Sequence, residues 1–149
     1  MPYGGRSDWF TRDMMIGLLN KNAMIHSILS YIAGASLIIW GIAHLFPTPS
    51  VVRGFGNISE DNKRIVYMEW ITEGLTLLFI GILVFLLTFF GDPGSTLQKI
   101  LFTAIIVMLI MMSVLSLFTG FKINFLPFKL CPVIFTGSAI LLLLGLILS

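Results

Sequence analysis

Four long apolar stretches, separated by short breaks rich in proline, glycine or polar residues, organise this sequence. The first runs from about Met24 to Phe46 and stops at Pro47 and Pro49, which lack the amide hydrogen that a continuing helix needs. The second, about residues 65–90, is preceded by Ser59 as a helix cap, with Glu60 and Asp61 favourable at the positive helix end. After the turn Gly91-Asp92-Pro93-Gly94, Ser95 and Gln98 form a capping-box pattern that opens the third stretch, about residues 96–119, and Gly120 suits its end. The fourth, about residues 131–149, begins at Cys131-Pro132, with proline in the tolerated first turn.

Each stretch has roughly 18 to 26 residues, enough to cross a hydrocarbon core about 30 Å thick. The spacing predicts an all-α fold: one transmembrane domain over residues 1–149, a four-helix bundle in up-down-up-down order with both termini on one side. Residues 1–23 are read as an N-terminal interfacial segment. They lack an apolar run with a small-residue cleavage site behind it, so the chain is read as mature from Met1. Small residues at Gly34, Gly74, Gly81, Ser113, Ser116, Gly137 and Gly145 would let helices approach closely.

Composition agrees with the pattern: 57% of residues are hydrophobic and 11% charged, and mean hydropathy is +1.00. The expected surroundings are the lipid bilayer, with other membrane subunits or a second copy of the chain as candidate partners. The net charge of +2 is scattered and makes no basic stripe, which argues against nucleic acid. Arg6, Arg12, Lys21 and Lys99 fall on the side of the termini and Arg53, Lys63, Arg64, Lys122 and Lys129 on the other, a difference of one charge under the positive-inside rule. A lone cysteine, Cys131, forms no intrachain disulfide.

The candidate chemistry lies where charge enters the bilayer. Glu69 and Glu73 are the only acids inside a span, and an ionised group there costs about 2.5–3.5 kcal/mol. Four residues apart, they share a helix face, as do Trp40 and His44 on the first span. Pairing the first two spans as a hairpin brings Trp40, His44, Glu69 and Glu73 to one level, with Tyr67 or Trp70 nearby. Ser113, Ser116, Thr119, Cys131 and Thr136 arrive at the same end of the bundle. The loop around Arg53-Gly54-Phe55-Gly56 is apolar for a segment in water; it is read either as a lid with Arg53 paired to Glu69 or as a loop at headgroup level.

Three readings fit the cluster. His44 and Glu69 are interfacial and Glu73 is a protonated interhelical hydrogen-bond partner; or His44, Glu69, Glu73, Trp40 and Arg53 form a ligand-binding or proton-handling pocket; or His44, Glu69 and Glu73 hold a metal. Met108, Met111 and Met112 are read as apolar filler and His26 as an interfacial residue. Phe121, Phe125, Phe128, Lys122 and Lys129 read as an interfacial anchor.

Residues Gly34 to Gly41 leading into Ala43-His44-Leu45, followed by Glu73-Gly74 and Gly81, make the first hairpin resemble the DoxX-like small four-helix membrane proteins, over roughly residues 30–90. The resemblance implies a membrane component associated with oxidoreductases or quinone-linked redox systems. The expected function is therefore a small redox-associated or ligand-binding membrane protein. A noncatalytic assembly subunit and an oligomeric proton-coupled transporter are the alternatives. No cofactor, catalytic residue or reaction is legible in the sequence.

Overall fold

The computed structural model of the protein describes residues 6–122 and 126–148, and the side chains of all of these except 6–11 and 13. Five α-helices account for almost all of it: α1 Arg6–Leu45, α2 Thr48–Gly54, α3 Glu60–Phe90, α4 Thr96–Phe118 and, after a short 3-10 turn Gly120–Lys122, α5 Leu126–Leu148. Four of them are long and apolar enough to cross a membrane, and large side chains such as Phe79, Leu86, Met111, Leu115 and Ile147 face outward. Lipid is the solvent that suits such a surface, because helices satisfy their backbone groups internally. The protein is a multi-pass integral membrane protein with an all-α bundle of four spanning helices.

Apolar burial gives helices in lipid little reason to associate, so close packing and interhelical hydrogen bonds hold the bundle together. The α1–α3 seam is built on glycine at heptad spacing. A Cβ on Gly34 would come within 3.1 Å of the Gly81 carbonyl oxygen, and one on Gly81 within 2.8 Å of that of Gly34. Seven residues on, the same exchange recurs: Gly41 and Gly74 each face the other's carbonyl, at 2.8 and 3.1 Å from the would-be Cβ. On the α4–α5 seam, the Ser113 hydroxyl lies 2.7 Å from that of Thr136 and 3.2 Å from the Pro132 carbonyl. Gly137, by contrast, has nothing within 4 Å of its would-be Cβ and takes no part in a close approach.

Helices α3 and α4 follow one another across a tight turn yet barely touch. At the turn they are tied by Gln98, whose Nε2 donates to the Leu87 carbonyl at 3.0 Å while its Oε1 accepts from Gly94 N at 3.2 Å. This differs from a capping box only in reach: Ser95 Oγ accepts from Gln98 N, but Gln98 returns to Gly94 rather than to Ser95. Beyond the turn the glycine seam draws α3 toward α1, and Ser113 draws α4 toward α5. The two helices splay, and a cleft opens between them at the end far from the turn.

Several boundaries differ from the expected ones. The segment read as interfacial is, from Arg6 on, continuous with the first span, and α1 is 40 residues long against 23 for α5. At about 1.5 Å per residue, its N-terminal turns project past the bundle, and Met14 through Lys21 are exposed on every face. His26 lies inside the bundle rather than at its rim, because α4 and α5 pack against its level of α1. It is buried, its Nδ1 is 2.9 Å from the Gly145 carbonyl and its ring meets Phe102 edge-on.

Helix α5 begins at Leu126, five residues before the expected start, so Pro132 sits inside the helix instead of in its first turn. Helix α4 ends on Thr119, and Gly120 opens the 3-10 turn in place of a left-handed cap. Of the expected anchor residues, Phe128 points inward, its ring against Trp70 and beside Gly120; Phe125 lies outside the described residues. The segment between Pro47 and Gly54 is a helix, α2, because Pro49 stands in its first turn, where a missing amide hydrogen costs nothing. It buries Thr48, Val51 and Val52.

Candidate functional site

The cleft between α3 and α4 has a volume of about 530 Å³. Its walls are mostly apolar on the α4 side, where Met108, Met112 and Leu115 stand beside Ser116 and Thr119, and carry Glu69, Thr72, Glu73 and Thr76 on the α3 side. Trp70, Phe128, Cys131 and Phe135 line it too, the last three coming from α5. The described polar groups with most chemistry meet where Glu73 and Cys131 approach His44.

His44 is supplied by the last turn of α1 and is 1% exposed. Its Nδ1 is 3.0 Å from the Trp40 carbonyl oxygen, and a carbonyl only accepts, so Nδ1 carries the hydrogen and donates it. In the neutral ring Nε2 is then a bare lone pair. Two groups face that nitrogen: Cys131 Sγ at 3.6 Å and Glu73 Oε1 at 3.7 Å. The first is within reach of a sulfur hydrogen bond donated by the thiol. The second is longer than a hydrogen bond to oxygen allows. Because both partners sit on Nε2, the arrangement is no carboxylate–imidazole–thiol relay, which requires the acid on the opposite ring nitrogen.

Aromatic rings fix the imidazole in place. Trp70 stacks on it with centroids 4.7 Å apart, and Trp40 meets it edge-on at 5.3 Å. The last carbonyls of a helix have no partner within it, and here the site supplies them. Trp70 Nε1 donates to the His44 carbonyl at 2.6 Å, and Thr48 Oγ1 donates to the carbonyls of His44 and Leu45 at 3.1 and 2.9 Å. Helix α2 thus acts as the cap of α1, holding the turn that carries His44.

The structure brings together some of the expected residues and separates others. His44, Glu73 and Trp40 form one cluster, as the hairpin pairing of the first two spans implies. Glu69 stands one turn from Glu73 on the cleft wall and is exposed. Arg53 is exposed on α2 and bonds Ser50 Oγ at 3.2 Å; among the described residues it makes no ion pair with Glu69, so the lid closed by that pair is not formed. The three candidate donors that converge are His44, Glu73 and Cys131, all within 4.8 Å of one another, in place of His44, Glu69 and Glu73.

Cys131 was legible as a neighbour of this end of the bundle but not as a member of the cluster. Its place follows from the packing of α5 directly on α1, which brings its thiol to the ring of His44. Trp70 is the other residue whose role needed the fold: spacing alone leaves it an ordinary belt aromatic. Comparisons of the chain with family models, with curated proteins and with solved structures return no match.

Proposed function

We propose that this protein binds an amphipathic small molecule taken from the bilayer, its apolar part in the α3–α4 cleft and its polar group against Glu73, Cys131 and the threonines of α3. The observation that carries this reading is the cleft itself: a largely apolar wall that ends on the half-buried Glu73 and the buried Cys131, in a bundle otherwise closed on its other three seams. Binding sites of this kind are concave and mostly apolar, with a few convergent polar groups. The resemblance to DoxX-like proteins makes quinone-class molecules the first ligands to try, in keeping with a redox-associated role.

The test uses the purified chain in nanodiscs, titrated with a quinone-class lipophile while tryptophan fluorescence is followed, since Trp70 lines the cleft. Saturable quenching is expected, with affinity reduced about tenfold or more in Glu73→Gln, the usual scale for losing a hydrogen bond to a charged group. Identical titrations for the variant and the parent protein remove the reading.

A second reading, an assembly subunit of a membrane complex, is favoured by one different observation. Met14, Met15, Ile16, Leu18 and Leu19 are exposed around the projecting part of α1, an apolar surface suited to a partner helix as well as to lipid. Co-purification of the native chain with membrane partners, lost when residues 6–21 are deleted, distinguishes it.

A further inference from the structure

We propose that His44 Nε2, Glu73 and Cys131 Sγ form a binding site for a divalent transition metal, with Zn²⁺ as the fitting ion. The proposal deepens the reading above, because it rests on the cleft being an open binding site and names what its polar end would hold. Geometry carries it first. Donors bound to zinc at about 2.0–2.3 Å in a tetrahedron lie roughly 3.3–3.8 Å from one another. The two separations measured from His44 Nε2, 3.6 Å to Cys131 Sγ and 3.7 Å to Glu73 Oε1, fall in that interval, and all three atoms lie within 4.8 Å of each other. The third edge, from Glu73 to Cys131, is within 4.8 Å, and Glu73, the least buried of the three, has the freedom to adjust it.

The donor set is the second argument. Imidazole, thiolate and carboxylate together suit zinc, whereas a hard cation such as Mg²⁺ takes oxygen alone. The outer shell is the third. A metal-bound histidine ordinarily gives its other ring N–H to a carbonyl or carboxylate, and the Nδ1–Trp40 contact at 3.0 Å already does this. The stacked indole of Trp70 holds the ring plane. Three protein donors leave one tetrahedral direction, and since Glu73 and Cys131 are cleft residues, that direction is available to a water or to the polar group of a bound molecule.

Loading the site releases the thiol proton of Cys131, while His44 in its Nδ1–H form has none to lose from Nε2. The experiment uses the full-length chain without an affinity tag, in detergent, titrated with Co²⁺ as a spectroscopic stand-in for Zn²⁺. One Co²⁺ per chain is expected, with tetrahedral visible bands and a thiolate-to-cobalt charge-transfer band, all displaced by Zn²⁺. Cys131→Ser should abolish the charge-transfer band and weaken binding by more than about a hundredfold, beyond the roughly 10–100-fold that loss of an outer-shell partner costs. Glu73→Gln, a change that preserves size, should keep the charge-transfer band and weaken binding by about tenfold or more.

Absence of Co²⁺ binding, or binding that both variants leave unaltered while circular dichroism shows them folded, overturns the metal site. The quinone-class titration is run on the same metal-free sample. Lipophile binding without cobalt binding overturns the metal alone and leaves the cleft; failure of both overturns the two together.

Discussion

Trp70 touches His44 twice: its indole stacks on the imidazole at 4.7 Å, and its Nε1 donates to the carbonyl of the same residue at 2.6 Å. One side chain therefore sets the plane of the functional ring and ties down the end of the helix that carries it. The two contributions separate by substitution. Trp70→Phe retains a ring against His44 but leaves its carbonyl to Thr48 alone, at an expected cost of about 1–2 kcal/mol. Thr48→Val in the same background removes the second donor, and the combined loss should exceed the sum of the single ones. Thermal unfolding of the four proteins in one detergent measures the coupling.

The glycine seam makes a sharper prediction about stability. In Gly41→Ala the new methyl meets backbone, 2.8 Å from the Gly74 carbonyl oxygen and 2.9 Å from Leu78 N, and backbone cannot turn aside as a flexible side chain can. Helices α1 and α3 must separate, with an expected loss of about 1–3 kcal/mol. Gly137→Ala has nothing within 4 Å of its new methyl and gains helix propensity, so its stability should be unchanged or raised by up to about 1 kcal/mol. Equal effects at the two positions would contradict the seam.

Filling the cleft should block it without harming the fold. Ser116 faces the opening from α4 and is only partly buried, so Ser116→Trp places an indole in the space while leaving the glycine seam of α1 and α3 and the Ser113–Thr136 contact in place. Lipophile affinity should fall by about tenfold or more, with the unfolding midpoint close to that of the parent protein. A parallel drop in midpoint would mean that the cleft is packed in solution.

Protons compete with metal for the three donors, so cobalt affinity should decline as pH falls. A proton on Nε2 of His44, on the Cys131 thiolate or on the Glu73 carboxylate removes the lone pair that the metal needs. Removing the thiol removes one of these competitors, and the plot of log affinity against pH should be shallower in Cys131→Ser. A flat profile for the parent protein would mean that the metal sits on other groups.

Some of this architecture was written locally. The cap at Ser59, the turn at Gly91–Gly94 and the apolar length of each stretch depend on neighbours in sequence, and each stands in the structure at or near its expected place. The pairing of the first two spans also followed from a short connection, and with it the meeting of Trp40, His44 and Glu73. Other features depended on which helices pack together and how closely. A 3.6-residue period cannot tell a lipid-facing side from a buried one when both are apolar, so nothing local marked α3 and α4 as the pair that separates, or Phe128 as inward. Cys131 joined the cluster because α5 lies against α1, and Glu69 and Arg53 stayed apart because α2 turns Arg53 toward Ser50. The sequence by itself determined four spans and a polar end to the bundle, since helix starts, stops and transfer costs are local quantities. Only the tertiary structure decided which further groups join His44 and Glu73, Cys131 among them, and which stay apart, because that is set by the closest approach of backbones at Gly34, Gly41, Gly74 and Gly81 and by the seam that Ser113 holds shut.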